Sequence, residues 1–368
     1  DNTAESTFVF DGNNYDVSDN YDISVSCGKL TVTPKNITLK GASQTHTYDG
    51  TEFTDDEYEI AEQGFLSALG HTVTVVAGGK IVYVGEVENK LGATVTDMSG
   101  LDVTANYKFN IVNGKLKVIQ APLNVTTEQA TKVYDGTPLT DDVYTIDGLV
   151  NGEYEEVAFS GEQTSVGTSK NTCSVRVFDS AYNETTANYK IIVNEGKLVV
   201  TKATLTVTTI GATKQYDGEA LTNEDYTIDG LVDGEYEQIS FSGQRLFVGT
   251  SNNTCNVSVE DVYGNVTTGN YNITVHCGEL IVTTAPLHVT TDGATKVYDG
   301  EALTYDSGSV NDADLAWGEK AYVECVGSLA VVGETDNLCS VRVENQDGVD
   351  TTKCYEFIYT YGKLTVTK

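Results

Sequence analysis

The chain alternates apolar and polar residues along many short segments. Runs such as PLNVTT, TLTVTT and PLHVTT place an apolar side chain at about every second position, which is the period of a half-buried β-strand. Helical periodicity is almost absent, and glycine recurs between the runs in the turn-forming pairs DG, NG and GN. The pattern predicts an all-β protein made of short antiparallel strands.

The same pattern returns at a fixed interval along the chain. Tyr-Asp-Gly begins at four positions spaced by 86, 82 and 82 residues, namely Tyr48, Tyr134, Tyr216 and Tyr298. Gly-Lys-Leu or Gly-Glu-Leu begins at five positions, namely Gly28, Gly114, Gly196, Gly278 and Gly362. Five repeat ends and four repeat starts predict the second half of a truncated repeat followed by four full repeats. The expected boundaries are 1–33, 34–119, 120–201, 202–283 and 284–368.

Each full repeat is expected to fold as a small immunoglobulin-like β-sandwich. In the repeat 120–201 the turn signals YDGTP, LVNGE, SVGTS and NEGK separate six predicted strands, near 122–128, 144–148, 154–161, 171–178, 188–193 and 197–202. A β-grasp-like unit is the alternative fold. Joins such as VIQAPLNV and VTKATLTV hold no flexible linker, so the tandem array should form an elongated rod.

Charge excludes several classes of partner. The chain has 22 Lys and Arg against 54 Asp and Glu, a formal net charge of −32. Such a charge repels nucleic acid phosphates and anionic lipids, so we expect no nucleic acid partner. No apolar run approaches the roughly 18 residues of a membrane span, so we expect no membrane insertion. The first residues do not read as a signal peptide, and any export signal or anchor is expected outside this segment.

The Tyr-Asp-Gly motif is the strongest candidate for chemistry, with Tyr as an acid or a neighbouring Lys as a nucleophile. The four histidines take unrelated repeat positions, and a catalytic centre needs one copy of its residues, not four. We therefore expect no enzyme and no cofactor, and a structural corner in every repeat. Asp-Gly would turn the chain with Gly at positive φ, and Tyr would pack on the core and hydrogen-bond through its hydroxyl. The corner residues are Tyr48, Asp49, Gly50, Tyr134, Asp135, Gly136, Tyr216, Asp217, Gly218, Tyr298, Asp299 and Gly300.

Seven cysteines lack the spacing of zinc or redox motifs. Three of them share one repeat position, an apolar site that is Leu91 in the repeat 34–119; they are Cys173, Cys255 and Cys339. In an oxidising compartment Cys255 could pair with Cys277, and two of Cys325, Cys339 and Cys354 could pair. Cys325 and Cys339 would face each other across a hairpin. In a reducing habitat all would remain thiols.

Two further features leave alternatives open. The acidic loops LTDDVYT and LTNEDYT offer the oxygen ligands that calcium prefers, but without EF-hand spacing, so they also fit solvated turns. Trp317 stands in LAWGE where the sister repeats read LVNGE and LVDGE. An exposed Trp there would be a binding residue for proteins or sugar rings. Alternatively, the ring fills space left by Cys325, which replaces Phe159 and Phe241.

The segments TKVYDGTPLT, IDGLVNGEYEEVAFSGEQTSVGTSKNTCSV and TTANYKIIVNEGKLVVTK resemble the MBG/YDG-type tandem repeats of bacterial surface proteins and adhesins. The resemblance covers the whole chain. It implies an extracellular, cell-wall-attached or secreted protein in which a repetitive stalk presents a binding head. The truncated repeat 1–33 adds the expectation of further repeats of the same chain on the N-terminal side. Departures are His46 in place of Lys132, Lys214 and Lys296, and Cys354 in place of Asn106, Asn188 and Asn270.

Two functions therefore stay open. The repeats could be a passive stalk, or some repeats could themselves bind a host glycoprotein, a mucin glycan or an immunoglobulin. The second is favoured by the departure of repeats 34–119 and 284–368 from the two closely similar central repeats.

Overall fold

Strands dominate the chain, as the period-two pattern predicts. The computed structural model describes residues 2–61 and 63–368, and within them it has 34 strands, one α-helix and six single-turn 3-10 helices. The α-helix, α1 (Gln63–Ala68), lies in the first full repeat. The fold class is all-β, in repeated units of small sheets.

The two earlier full repeats hold eight strands each among the described residues. In repeat 34–119 these are β1 (Lys35–Gly41), β2 (Gln44–Thr47), β3 (Tyr58–Ile60), β4 (Thr72–Ala77), β5 (Gly85–Asn89), β6 (Leu91–Thr96), β7 (Tyr107–Val112) and β8 (Gly114–Ile119). In repeat 120–201 they are β9 (Ala121–Thr127), β10 (Ala130–Val133), β11 (Tyr144–Asp147), β12 (Tyr154–Phe159), β13 (Gly167–Asn171), β14 (Cys173–Phe178), β15 (Tyr189–Asn194) and β16 (Gly196–Thr201).

The later repeats follow the same order, with two short additional strands in the last. Repeat 202–283 has β17 (Ala203–Thr209), β18 (Ala212–Gln215), β19 (Tyr226–Asp229), β20 (Glu235–Phe241), β21 (Gly249–Asn252), β22 (Cys255–Asp261), β23 (Tyr271–His276) and β24 (Glu279–Thr283). Repeat 284–368 has β25 (Ala285–Thr291), β26 (Ala294–Val297), β27 (Leu303–Thr304), β28 (Gly308–Val310), β29 (Lys320–Cys325), β30 (Ser328–Leu329), β31 (Gly333–Asp336), β32 (Cys339–Glu344), β33 (Tyr355–Thr360) and β34 (Lys363–Thr367).

Each full repeat is organised around its first two and last two strands, which pair in parallel. β9 pairs with β15 and β10 pairs with β16, and in both ladders the partner lies 68 residues further along the chain. The two ladders therefore share one register offset. β11 adds antiparallel to β9, and β13 adds antiparallel to β16. The other full repeats have the same sheet orders.

A second layer covers one part of these ladders. The antiparallel pair β12–β14 packs its valines against Leu123 and Val125 of β9. The burial of β9 alternates along its length, so the strand is half-buried as its sequence predicts. Leu123 and Val125 are fully buried, and side chains of this size contribute about 1.5–3 kcal/mol each when buried. Two facing β layers result.

Several sequence expectations require correction. The first strand of each repeat is not purely antiparallel, because the second-to-last strand of that repeat lies parallel beside it. NEGK is not a turn, because its residues belong to β15 and β16 apart from Glu195, which alone separates the two strands. SVGTS is a turn only in part, because Gly167 opens β13. Strands β10 and β13 were not expected.

The chain divides into two compact units, and their boundary crosses the repeat 120–201. One unit holds residues 1–128, 142–160 and 172–195, and the other holds residues 129–141, 161–171 and 196–368. Residues 2–33 of the first unit contain no strand, although they keep a 3-10 turn, Ser18–Asn20, and a bridge between Phe10 and Asp16. In the full repeats the last two strands pair with the first two.

The hydrophobic cores also cross the sequence repeats. In one core Tyr48 and Val118 pack with Leu123 and Tyr189 of the following repeat. Tyr134 and Val200 pack in the same way with Leu205 and Tyr271, and Tyr216 and Leu280 pack with Leu287 and Tyr355. Each of these cores is built by two successive repeats.

Candidate functional site

The Tyr-Asp-Gly corners have the local geometry that the sequence predicts. The glycines have left-handed backbone, with φ of 79° at Gly50, 78° at Gly136, 81° at Gly218 and 90° at Gly300. The Asp side chain accepts a hydrogen bond from the backbone N–H two residues later, at 2.9 Å from Thr137 to Asp135 and 3.0 Å from Glu219 to Asp217. The backbone N–H of each corner tyrosine donates to the last strand of its repeat.

The recurring lysine completes the corner. Lys132, Lys214 and Lys296 each place Nζ at 2.7 Å from the corner Asp. His46 takes this role in repeat 34–119, with Nε2 at 3.0 Å from Asp49. The hydrogen bonds from Thr51 and His46 lower the pKa of Asp49 to about 2, and those from Lys132 and Thr137 lower the pKa of Asp135 to about 2. The motif is thus a local hydrogen-bonded turn, with no nucleophile and base placed together.

The tyrosine hydroxyls reach a glutamate of the following repeat. Each of these glutamates closes the loop LVNGE, LVDGE or LAWGE, and each accepts one hydrogen bond at Oε1 from a corner tyrosine: Tyr48 to Glu153 at 2.6 Å, Tyr134 to Glu235 at 2.6 Å and Tyr216 to Glu319 at 2.7 Å. The other oxygen, Oε2, accepts a hydrogen bond from a second tyrosine within its own repeat: Tyr189, Tyr271 and Tyr355 respectively. We call these three clusters the Glu153, Glu235 and Glu319 junctions.

Further contacts fix the orientation of both tyrosines. The two rings of each junction meet edge to face, with centroids 5.6–5.7 Å apart. The hydroxyl of the second tyrosine also accepts a backbone N–H, from Val150 at 3.0 Å, Val232 at 3.1 Å or Ala316 at 2.7 Å. The hydroxyl of the second tyrosine is therefore held by two groups, the carboxylate and a backbone N–H.

The same loop residues lie over the corner glycine. A Cβ added to Gly50 would meet Val150 at 2.9 Å, one on Gly136 would meet Val232 at 3.0 Å, and one on Gly218 would meet Ala316 at 2.9 Å. Glycine is thus required at these corners for two reasons, positive φ and the close approach of the next repeat.

A buried Asn adds one more hydrogen bond to two of the junctions. Asn188 accepts from the Val84 N–H at 3.0 Å, and Asn270 accepts from the Val166 N–H at 2.9 Å. In the Glu319 junction the equivalent residue is Cys354, which is buried. Burial raises the pKa of its thiol, while a hydrogen bond from the Val248 N–H lowers it. Cys354 thus faces the Val248 N–H, which is the equivalent of the Val84 and Val166 donors.

Burial and the glutamate partner keep the junction hydroxyls protonated. Desolvation first, and the hydrogen bond to Glu235 second, raise the pKa of Tyr134 to about 12. The same two causes raise the pKa of the other five: Tyr48, Tyr189, Tyr216, Tyr271 and Tyr355. Hydrogen bonds to charged groups contribute about 1.5–3 kcal/mol each, so each junction is a strong local contact.

Two positions depart from this pattern. In repeat 34–119 the loop ends in Gly70-His71, and His71 Nδ1 lies 2.5 Å from the hydroxyl of Tyr107, the counterpart of Tyr189. Tyr298 has no glutamate partner among the described residues, and it is 54% exposed, whereas the other three corner tyrosines are 4–6% exposed. The expectation of a packed, hydrogen-bonded tyrosine is met at Tyr48, Tyr134 and Tyr216 and not at Tyr298.

The sequence reasoning missed the acceptors. Glu153, Glu235 and Glu319 stood in loops that were interpreted only as turns, although an acid follows Gly at the same place in three repeats. It also missed four fully buried asparagines, which end or directly follow the strand before each shared cysteine or leucine position: Asn89, Asn171, Asn253 and Asn337. Asn253 Nδ2 donates to the carbonyls of Ile210 and Asn223 at 2.9 and 2.8 Å. Their recurrence in the sequence was the available signal.

The cysteines are free thiols in this structure. Cys325 and Cys339 lie directly opposite each other in the β29–β32 ladder, where the equivalent pairs are Phe159 with Cys173 and Phe241 with Cys255. Burial raises the pKa of Cys255, and the neighbouring Cys277 adds to that rise. Pairing in an oxidising compartment stays a prediction.

The remaining candidates are exposed or dispersed. The Trp317 side chain is 89% exposed and does not fold over the core. Among the described residues no group of three His, Cys, Asp or Glu side chains is placed to hold a metal ion, so neither acidic loop gathers such a set. In the same residues no helix is long and apolar enough to cross a membrane.

Comparison with known proteins gives no family. No protein-family model matches the chain, and no curated protein matches it. Among solved structures the chain is similar to Drosophila N-cadherin EC1-4, with 9% identity, 89% of this chain and 100% of that chain covered, and a TM-score of 0.21. It is similar to human CDH23 EC21-23, with 10% identity, 68% and 100% covered, and a TM-score of 0.20. It is also similar to the N-terminal eight Ig domains of Down Syndrome Cell Adhesion Molecule isoform 1.30.30, with 12% identity, 94% and 55% covered, and a TM-score of 0.17. Likenesses this distant support no argument about function.

Proposed function

We propose that the chain is the repetitive stalk region of a bacterial cell-surface or secreted adhesin of the MBG/YDG type, and that it projects a binding head. The observation that carries the proposal is the shared-carboxylate junction, which is formed three times by equivalent residues. A stalk needs a fixed joint between successive modules, and it needs no chemistry in any one of them.

The junction suits this role because it resists bending at the repeat boundary. The carboxylate is held by one hydroxyl from each of two successive repeats, so a hinge motion would break a charge-assisted hydrogen bond in a partly dry site. Only Gln120, Lys202 or Thr284 separates the last strand of one full repeat from the first strand of the next. Gln120 itself donates to the carbonyls of Ala187 and Tyr189 at 3.1 and 2.9 Å.

The acidic surface fits an extracellular location. A net charge of −32 keeps a long chain soluble and discourages binding to nucleic acid or anionic lipid. Host glycoproteins, mucins or immunoglobulins would be met by the head, or by single repeats as described below. No catalytic role forms part of this proposal.

Small-angle scattering tests the joint. The unaltered chain should behave as an extended, stiff particle, and a triple variant with Glu153, Glu235 and Glu319 changed to Gln should show a broader range of end-to-end distances. A matched control changes three exposed glutamates without junction contacts: Glu162, Glu219 and Glu301 to Gln. A compact unaltered chain, or equal flexibility in both variants, contradicts the proposed stalk.

A second candidate function is ligand binding at Trp317. An indole that is 89% exposed on a turn offers a flat apolar face for protein contacts or sugar rings. Asp312, Glu319 and Lys320 lie beside it around an open groove. Trp317 is the only tryptophan, so its fluorescence reports this site alone.

Fluorescence titration separates the two functions. The free chain should emit as an exposed, readily quenched indole, and mucin or immunoglobulin should shift the emission if Trp317 binds them. Capture of the same ligand by the chain on a surface should then be lost in Trp317→Ser. An unchanged spectrum with both ligands leaves the stalk as the only role supported.

A further inference from the structure

A cluster of aromatic side chains lies on the outer face of the β12–β14 pair. Tyr154 and Phe178 are directly opposite each other in this ladder, and their rings stack with centroids 5.6 Å apart. Tyr182, in the turn after β14, meets the Tyr154 ring edge to face at 6.0 Å. Val175 and Val177 of β14 pack into the core, so the rings lie on the solvent side of the ladder. We call Tyr154, Phe178 and Tyr182 the aromatic platform.

The three aromatic residues occur together in repeat 120–201 alone. The equivalent residues of the other full repeats are, in the same order, Thr72, Thr96 and Gly100; Tyr236, Glu260 and Gly264; and Lys320, Glu344 and Gly348. The same ladder and the same turn therefore form without these rings, and the shared fold does not require the platform.

Tyr182 holds its ring in place at a cost in backbone strain. It is 81% exposed, and its φ of 66° lies in the left-handed region, which a bulky L-residue rarely adopts. The other full repeats place glycine at this point of the turn, with φ of 85° at Gly100, 80° at Gly264 and 76° at Gly348. Strain of this kind is found mainly where a side chain has a function, so Tyr182 indicates a binding surface.

The platform already holds one guanidinium group. Cζ of Arg176 lies 4.8 Å from the centroid of the Phe178 ring. Its nitrogens face two carboxylates, that of Glu184 at 2.8 Å and that of Glu156 at 3.8 Å. A guanidinium that stacks on an aromatic face and pairs with carboxylates is a favourable arrangement for arginine. The chemistry of this face therefore suits a further guanidinium group.

Negative charge is in excess around the platform. The charged groups beside it are three carboxylates and one guanidinium: Glu156, Asp179, Glu184 and Arg176. Desolvation raises the pKa of the Tyr154 hydroxyl, and the nearby Tyr182, Glu156 and Asp179 raise it further, as expected in a negative potential. The Glu156 side chain is 62% exposed. Its carboxylate is thus accessible to a cation from a partner.

We propose that the aromatic platform binds an arginine side chain from an exposed basic segment of another protein. The guanidinium stacks on the rings of Tyr154 and Tyr182 and donates to Glu156, in the way that Arg176 stacks on Phe178. The proposal adds a binding role to one repeat, and it does not depend on the junctions between repeats.

Fluorescence anisotropy of a labelled peptide tests the proposal. The probe is a peptide of about ten residues in which Gly and Arg alternate, in about 0.15 M NaCl, where a Debye length of about 8 Å screens diffuse attraction to the acidic chain. The peptide should bind, and Tyr182→Gly, which introduces the residue of the sister repeats, should weaken binding about three- to tenfold. A peptide with Lys in place of Arg should bind more weakly, because an ammonium group does not stack on a ring.

Tyr263→Ala is the matched control. Tyr263 is 86% exposed in the equivalent turn of repeat 202–283, where it takes the position of Ala181. The substitution removes one exposed tyrosine without touching the platform, so it should leave peptide binding unchanged. Equal weakening by Tyr182→Gly and Tyr263→Ala overturns the proposal, as does a peptide that does not bind the unaltered chain.

Denaturant unfolding separates binding from packing. Tyr182→Gly relieves the left-handed backbone, so the variant should unfold at the same denaturant concentration as the unaltered chain or at a higher one. A clearly lower midpoint would mean that the ring serves to stabilise its own turn, which overturns the functional interpretation.

The charge of Glu156 distinguishes arginine from an uncharged ligand. Glu156→Gln should weaken binding of the Arg peptide about three- to tenfold, because the amide no longer pairs with a cation. A neutral oligosaccharide that displaces the peptide, and that binds Glu156→Gln as well as the unaltered chain, would identify the platform as a sugar site. That result overturns the proposal of an arginine ligand.

Discussion

At the scale of single residues, the buried junction carboxylate is the group whose loss of partners should lower stability most. Glu235 is 8% exposed, and two tyrosine hydroxyls donate to it in place of water. Removing a partner from such a group costs more than its hydrogen bond contributes, because the remaining polar atom stays buried and unpaired. Both tyrosines and the glutamate should therefore behave as one unit in mutagenesis.

Glu235→Gln should lower the free energy of unfolding by about 1–3 kcal/mol, because the amide removes the charge and leaves only one acceptor oxygen for two hydroxyl donors. Chemical denaturation followed by circular dichroism measures the loss. Glu219→Gln makes the same chemical change at an exposed side chain without such partners, and it should stay within about 0.5 kcal/mol of the unaltered chain. Equal effects of the two substitutions would show that the junction contributes nothing.

Gly136→Ala should destabilise the protein more than Gly300→Ala. Both positions have positive φ, which costs an L-residue of order 1–3 kcal/mol, but only at Gly136 does the new methyl group meet Val232. We expect an additional loss of about 1–3 kcal/mol at Gly136 from this overlap. Thermal melting of the two variants side by side gives the comparison. Equal losses in the two variants would mean that backbone strain alone limits the corner.

The sequence predicted the corner but not its partner. Tyr, Asp and Gly are adjacent in the chain, so a turn and a packed tyrosine follow from local rules. Glu153 stands 105 residues after Tyr48, and the periodicity that reveals a repeat does not show which positions of successive repeats meet. Nor did it show that Tyr298, which has the same local sequence, would remain exposed.

At the scale of elements, the parallel ladders of each repeat depend on buried polar side chains at their edges. Asn253 follows β21 and holds two carbonyls that the sheet leaves unpaired, those of Ile210 and Asn223. Asn337 does the same for Asp292 and Tyr305 in the last repeat. An asparagine here substitutes for missing strand neighbours.

Asn253→Leu should cost about 1–3 kcal/mol, because the carbonyl of Asn223 would lose its donor and that of Ile210 would keep only the longer hydrogen bond from Asn223 Nδ2 at 3.2 Å. Loss of stability should be measurable by denaturant unfolding, and hydrogen exchange should increase in β18 and β21. Asn252→Leu tests the same substitution at the exposed neighbouring position and should be nearly neutral. A neutral Asn253→Leu would mean that water replaces the amide.

The strands β10 and β13 were not predicted from the sequence, and the reason is physical. β10 reads ATKV and β13 reads GTSKN, and each has at most two apolar side chains, so neither shows a hydrophobic period. They form because β16 lies between them and offers backbone partners on both edges. Propensity is a weak guide where the ladder itself supplies the stabilisation.

At the scale of the whole molecule, six buried tyrosines link stability to alkaline pH. Each has a folded-state pKa above the value near 10 of an unfolded tyrosine, which is about 12 for Tyr134. The folded chain therefore binds more protons than the unfolded chain above pH 10. The six tyrosines contribute fully to the free energy of unfolding below about pH 10. This contribution is lost as the pH rises from there through their folded-state pKa values.

The free energy of unfolding should accordingly be steady near pH 9 and fall steeply between about pH 10 and pH 12. Denaturant titrations across this range measure the slope. Tyr134→Phe removes one of the linked groups and should make the fall shallower, whereas Tyr182→Phe, at an exposed turn, should leave it unchanged. A free energy that does not change up to pH 12 would contradict the role of the buried hydroxyls.

The organisation of the whole chain was only partly accessible to sequence analysis. The number of repeats and the all-β class follow from periodic motifs. The division into two compact units does not, because it crosses the repeat 120–201, where β9 and β10 belong to different units. A boundary that depends on packing between repeats cannot be read from the amino-acid composition of either repeat.

The equivalence of the three junctions has a genetic consequence. Loss of residues 120–201 by recombination between similar gene segments would bring Tyr48 before Glu235 and Gly50 before Val232, which are the residue types that each already meets. Duplication of the same 82 residues would likewise create only joints of an existing kind. We expect such a gene to gain or lose whole repeats without passing through a misfolded product, so that length can vary under selection while the joint stays the same.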